Sequence, residues 1–308
     1  MKKVFIDGKA GTTGLRIEER LSGRDDVTII SLPDELRKDT AARAEIINSA
    51  DFVFLCLPDE AAKEAVSLIK SDTVTVIDAS TAHRTNPDWA YGLPELSPEF
   101  EEKIRSSKRI AVPGCHASGF ISLVHPLVKA GIIPADLKLV AHSITGYSGG
   151  GKKMIAEYEA PDVTALLGAP RQYGITQMHK HLPEMTTITG LTNLPHFSPI
   201  VSNFYSGMEV TVPLFKDDIC GSTEDIKNVY RKLYTTDILR FSEDENEGGF
   251  LSAAALSGRD SMRISVHGND DRILLVARYD NLGKGASGAA VECLNIKLGC
   301  DKAKTLII

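Results

Sequence analysis

The stretch "KKVFIDGKAGTTGLRIEERLSG", residues 2–23, decides the fold. Its first six residues form a short apolar run and read as a strand. Residues 13–23 carry apolar positions at helical spacing and stop at Gly23. Between strand and helix stand Gly8, Gly11 and Gly14, with Thr12 and Thr13, in the pattern G-x-x-G-x-x-G. A strand that turns through glycines into a helix lets the backbone approach a pyrophosphate and aims the helix N-terminus at the anion. Gly8, Gly11, Thr12, Thr13 and Gly14 are therefore expected to hold a dinucleotide. A glycine-rich connector in some other α/β fold is the competing reading.

The same texture continues outward. "VTIISL" (27–32), "DFVFLCLP" (51–58), "TVTVIDAS" (73–80) and "RIAVPG" (109–114) read as strands, the second of them an almost unbroken apolar run. "AARAEIINSA" (41–50) and "DEAAKEAVSLIKS" (59–71) read as helices, and the residues around Trp89 as a loop. Continuous apolar strands alternating with helices predict a parallel sheet covered on both faces. NAD sites usually place an acidic residue at the end of the second strand. Here that strand ends at Ser31 and Leu32; the acids Asp34 and Glu35 lie beyond Pro33, with Arg37 and Lys38 close behind. A serine with nearby cations suits a 2′-phosphate, so the expected cofactor is NADP(H).

Beyond residue 114 the pattern changes. "KLVAHSITGYSG", "MTTITG" (185–190), "MEVTVPLF", "SMRISVHG" and "RILLVARYD" read as strands with partial alternation, and "TEDIKNVYRKLYTT" as a helix beside them. The reading is α/β: an N-terminal Rossmann-like parallel sheet, then an α+β domain with a mainly antiparallel sheet. The expected boundaries are 1–114 for the NADP-binding domain, rejoined by a terminal helix at about 285–308, and 115–284 for the catalytic domain. A chain of 308 residues has the length for two such cores.

Composition narrows the function. The net charge is −6 with no long basic run, so nucleic acid has no electrostatic footprint. No stretch approaches the ~20 apolar residues of a membrane helix. The five cysteines are few, odd in number and without C-x-x-C spacing, which points to reduced thiols and a cytoplasmic setting.

One of those cysteines stands apart. In "RIAVPGCHASGF" (109–120), Cys115 follows a Pro-Gly turn and opens a helical stretch. A helix N-terminus stabilises a thiolate. Cys56, Cys220, Cys293 and Cys300 read as buried fillers. A thiolate nucleophile needs a proton-handling partner, and "QMHKHLPEM" offers His179 and His181, with Glu184 placed to orient a ring. No matching third and fourth ligand makes that pair a metal site.

Taken together, "DGKAGTTG", "VPGCHASG", "GYSGGGKK", "HKHLPE" and "DNLGKGASGAAVECLN" resemble the N-acetyl-γ-glutamyl-phosphate reductases, in their shorter form, and more distantly the aspartate-semialdehyde and phosphorylating glyceraldehyde-3-phosphate dehydrogenases. The resemblance implies that Cys115 attacks an acyl phosphate, that NADPH reduces the resulting thioester, and that His179 or His181 moves the protons. It further implies that Arg84, Ser148, Lys152 and Glu184 serve the substrate, with Lys153 beside Lys152. Asn281 and Gly285 are implied to lie near the nicotinamide. The expected partners are a small acyl-phosphate substrate and further copies of the chain, as homodimer or homotetramer. Three other readings stay open: an aspartate-semialdehyde dehydrogenase, a serine hydrolase using Ser148 in its G-x-S-x-G context, and a non-catalytic NADP-binding module.

Overall fold

A computed structural model describes residues 1–308. The chain divides into two compact units. One comprises Met1–Pro94, Pro98–Pro113 and Ala286–Leu306, the other Glu95–Ser97, Gly114–Gly285 and Ile307–Ile308.

The first unit runs β1 (Lys2–Asp7), α1 (Thr12–Leu21), β2 (Val27–Ile30), α2 (Thr40–Ser49), β3 (Phe52–Leu55), α3 (Asp59–Ser67), β4 (Thr75–Asp78), β5 (Ala90–Tyr91), α4 (Pro98–Ser106) and β6 (Arg109–Ala111). The strands form one sheet in the order β2-β1-β3-β4-β6-β5, every pair parallel. β3 and β4 are buried at every position, which is why their sequences are apolar without alternation. Successive strand residues face opposite sides. Val4 and Ile6 pack with Ile17 and Leu21 of α1, whereas Phe5 packs with Ile47 of α2 and Ala62 of α3. Truncating a fully buried Ile17 to alanine would cost about 2–5 kcal/mol.

The region around Trp89, read as loop, contains β5 and α4. Only Ile104 of α4 is buried, so the helix shows no apolar stripe. It is written instead in charge and caps: Pro98 at the start, Glu99 and Glu101 in the first turn, Lys103 and Arg105 in the last.

The second unit runs α5 (Cys115–Lys129), β7 (Val140–Gly146), α6 (Gly151–Tyr158), β8 (Arg171–Gln172), α7 (Leu182–Thr189), β9 (His196–Ser202), β10 (Met208–Phe215), α8 (Thr223–Leu233), β11 (Leu239–Phe241), β12 (Met262–Gly268) and β13 (Arg272–Tyr279). Its sheet order is β11-β12-β13-β10-β7-β9-β8. Pairs β12–β13, β13–β10, β10–β7 and β9–β8 are antiparallel, while β7–β9 and β11–β12 are parallel. α5 packs on β10 and β13 and beside α7 and α8. Pro126 inside α5 has no N–H to offer the carbonyl of Ser122, and that carbonyl accepts the Tyr234 hydroxyl at 2.6 Å instead.

"MTTITG", expected as a strand, is the end of α7. The β-branched run misleads. Pro183 and Glu184 open the helix, and Gly190 closes it at φ +80°. The terminal helix α9 (Gly288–Leu298) belongs to the first unit, where Val291 and Leu294 pack with Ile17, Leu21 and Ile104. It ends at Gly299, short of the expected 308.

Candidate active site

In the second unit, the chain enters α5 through Gly114, which caps the helix without a side chain. The first-turn N–H groups are therefore not taken up by a capping oxygen, and Cys115 stands first in the helix at partial exposure. Three groups hold this entrance. The carboxylate of Glu184, at the start of α7, accepts the Gly114 N–H at 2.8 Å. The Tyr279 hydroxyl donates to the Cys115 carbonyl at 2.6 Å and accepts the Gly119 N–H at 3.0 Å. Gly285 passes so near that a Cβ there would lie 3.2 Å from the Cys115 Cβ.

Three imidazoles gather around the next residue, His116. The His179 and His181 rings lie 4.7 Å apart, and each is within 6 Å of the His116 ring, at 5.7 and 5.6 Å. The segment is not extended. His181 sits in helical conformation just before α7, and its N–H donates to His179 Nδ1 at 3.2 Å. His116 bonds Ser143 Oγ through Nδ1 at 2.6 Å and the Tyr173 hydroxyl through Nε2 at 2.5 Å. Burial, then the nearby His179, pushes the His116 ring down to about 3. Burial, then Lys180, takes His179 to about 4. Both rings are thus neutral at physiological pH. Burial, then the charge of Cys115, raises the Tyr173 hydroxyl far above its ordinary range.

Asn281 and Ser148 also meet, but not as separate ligand contacts. Asn281 accepts the Gly207 N–H at 2.9 Å and donates to Ser148 Oγ at 3.0 Å. Ser148 is wholly buried, which leaves no exposed hydroxyl for a hydrolase elbow. Lys152 and Lys153 are exposed in the first turn of α6. Lys284, next to Gly285, is fully buried in an ion pair with Glu95 at 2.5 Å.

The first unit carries the glycine-rich turn. Gly8 adopts φ +83°, and a Cβ there would sit 2.3 Å from the Cys56 carbonyl oxygen. Only glycine allows that turn. A cavity of about 170 Å³ is lined by Gly8, Lys9, Ser31, Leu32 and Arg37, and a second of about 180 Å³ by Gly11, Thr12 and Thr13, both reaching Leu57. Gly14 is buried in α1 just behind them. These residues fit a dinucleotide: a glycine cradle, a helix N-terminus, and no carboxylate directly after β2. Arg37 is held by Asp34 at 2.6 Å. Arg84 is buried, its Nε donating to the Val112 carbonyl and Nη2 to that of Ala79, each at 2.9 Å. Of the remaining cysteines, Cys56 is inert: burial, then Asp78 and Asp7, pushes its thiol up to about 12. Cys220, expected inside, is exposed.

Comparison with known proteins decides the family. Residues 13–104 match the semialdehyde dehydrogenase NAD binding domain and residues 115–281 the semialdehyde dehydrogenase dimerisation domain. The N-acetyl-gamma-glutamyl-phosphate reductase of Chelativorans sp. (strain BNC1) is 45% identical, over 96% of this chain and 98% of its own. A relative in Pseudomonas putida, N-acetyl-gamma-glutamyl-phosphate reductase 2, is 43% identical over 97% and 98%.

The chain belongs to the N-acetyl-gamma-glutamyl-phosphate reductase family.

Among solved structures, aspartate semialdehyde dehydrogenase II of Vibrio cholerae shares the fold of this reductase-family chain at TM-score 0.73. It covers 97% of this chain and 98% of its own, at 16% identity. The enzyme of Candida albicans, solved with NADP, gives 0.66 at 14% identity, covering 96% and 98%. The match to the NAD binding domain falls in the first unit of this reductase-family chain, and the match to the dimerisation domain falls in the second. Sequence reasoning missed His116, Tyr173, Ser143 and Tyr279. His116 had one available signal, its place directly after Cys115. The others are 27 to 164 residues from their partners and carry no local signature.

Proposed function

We propose that this protein reduces N-acetyl-γ-glutamyl phosphate to N-acetyl-glutamate semialdehyde with NADPH, through a thioester on Cys115, as a step of arginine biosynthesis in the cytoplasm. The observation that carries the reading is Cys115 opening α5 directly before His116, whose ring lies within 6 Å of the His179 and His181 rings. The helix N-terminus favours the thiolate. That sulfur attacks the acyl carbon, the C–O bond to phosphate breaks, and inorganic phosphate leaves. NADPH, when bound, would supply hydride to the thioester carbon. The resulting tetrahedral oxygen accepts a hydrogen bond from an imidazole N–H of the 179/181 pair. Its charge returns to sulfur as the C–S bond breaks and the aldehyde departs, which restores the thiolate.

Gly8, Gly11, Thr12, Thr13 and Gly14 are assigned to the pyrophosphate, Ser31 and Arg37 to the 2′-phosphate, Asn281 and Gly285 to the nicotinamide. Arg84 is assigned to the substrate phosphate, its fork fixed by the Val112 and Ala79 carbonyls. Lys152 adds positive charge, Glu184 shapes the thiol turn, and Ser148 acts through Asn281. The assembly is a homodimer or homotetramer of this chain.

A reverse assay tests the substrate: candidate semialdehyde, phosphate and NADP, followed by NADPH absorbance. Turnover with the N-acetyl-glutamate aldehyde well above that with the aspartate aldehyde supports the assignment. The opposite preference refutes it.

A further inference from the structure

We propose that His116, held by Ser143 as the Nε2–H tautomer, positions the Tyr173 hydroxyl to donate a hydrogen bond to the acyl oxygen of the group carried on Cys115. This rests on the thioester reading above.

The inference follows from counting hydrogens. The neutral His116 ring has one donor nitrogen and one acceptor, and both face hydroxyls. If Nδ1 held the proton, Ser143 Oγ would accept it, and Ser143's own proton would point into a wholly buried site. Ser143 Oγ has no second hydrogen bond there. If Nε2 holds the proton, Ser143 O–H donates to Nδ1 and is satisfied. Nε2–H then donates to the Tyr173 oxygen, and the Tyr173 proton is turned away from the ring. Tyr173 is partly exposed, and its hydroxyl has no other hydrogen bond. An unmade donor costs more in a sealed site than at an open one, so the second arrangement wins.

The rest of the cluster fixes this geometry. Phe197 meets the His116 ring edge-on at 5.3 Å, and the Tyr173 N–H donates to the Pro199 carbonyl on the same strand, β9. His116 follows Cys115 directly on α5, and its ring bonds the Tyr173 hydroxyl at 2.5 Å, which ties that hydroxyl to the helix start. When the acyl carbon becomes tetrahedral, its oxygen gains negative charge. Tyr173 donates to that oxygen and keeps its proton, consistent with a hydroxyl that resists ionisation. His116 and Ser143 are positioning residues. Tyr173 is the group that touches substrate.

Two measurements test it. First, nitrogen NMR of the full wild-type chain labelled at histidine reads the His116 tautomer directly. A protonated Nε2 with bare Nδ1 supports the proposal, and a protonated Nδ1 overturns it. Second, Tyr173→Phe removes one oxygen. We expect kcat to fall about 100-fold, the scale of a lost oxyanion donor, with the iodoacetamide rate at Cys115 unchanged. A kcat within twofold of wild type overturns the proposal. So does an alkylation rate that falls in step with kcat, because Tyr173 would then serve the thiolate. Cys115→Ser runs in parallel: an active serine variant refutes the thioester reading itself, whereas an inactive one with an unaffected Tyr173→Phe refutes this inference alone.

Discussion

Glu184 Oε1 accepts the main-chain N–H of Gly114 at 2.8 Å, so the first residue group of α7 fixes the turn that presents Cys115. The two are 70 residues apart in sequence. From sequence, this carboxylate was expected to orient an imidazole. It holds the backbone one residue before the nucleophile.

Removing that acceptor has a defined cost. Glu184→Ala leaves a buried N–H unmade and should destabilise the chain by about 1–3 kcal/mol. Glu184→Gln retains an acceptor oxygen and should recover most of the loss. Urea denaturation of both variants checks this. An alanine variant as stable as wild type would contradict the role.

Gly285→Ala introduces a Cβ 3.2 Å from the Cys115 Cβ and 3.1 Å from the Asp280 carbonyl oxygen. Neither neighbour is a flexible side-chain end, so the helix start must shift. Displacements of this kind away from a productive geometry cost up to ~10²-fold in rate. We expect kcat to drop by at least tenfold on the way to that limit, measured by steady-state kinetics.

Much of this was legible beforehand. β1 and α1 were readable because a glycine turn divides an apolar strand from a helix with 3.6-residue spacing. β3 and β4 were readable because burial on both faces leaves unbroken apolar runs. α7 was not, since its Thr-Thr-Ile-Thr sequence has strand propensity and tertiary packing of Met185 and Thr189 overrides it. In the site, Cys115, His179 and His181 announced themselves through motif. Tyr173 and Tyr279 did not, because a hydroxyl reaching across the fold leaves no trace in local spacing.

Acid should destabilise this protein early. His116 and His179 have folded values of about 3 and about 4, below their ordinary 6.5. The unfolded chain therefore binds more protons than the folded one between those limits, and stability rises with pH there. It is fully present above pH 6.5 and lost as pH falls toward 4 and then 3. The fully buried His116 contributes up to about 1.4 kcal/mol per pH unit, and the partly exposed His179 less. Unfolding curves from pH 7 to 4 in the His116→Gln variant should show a shallower slope than wild type.

Cofactor choice has its own handle. Arg37→Ala should raise the KM for NADPH about tenfold with little effect on NADH, as expected for one charge-assisted phosphate contact. Equal losses for both dinucleotides would place Arg37 elsewhere.

The most direct test is mass spectrometry of enzyme mixed with N-acetyl-γ-glutamyl phosphate without dinucleotide and quenched in acid. The account predicts one acyl group on the peptide containing Cys115, removed on adding NADPH and absent from Cys115→Ser. An unmodified Cys115 in enzyme that turns over normally would contradict it.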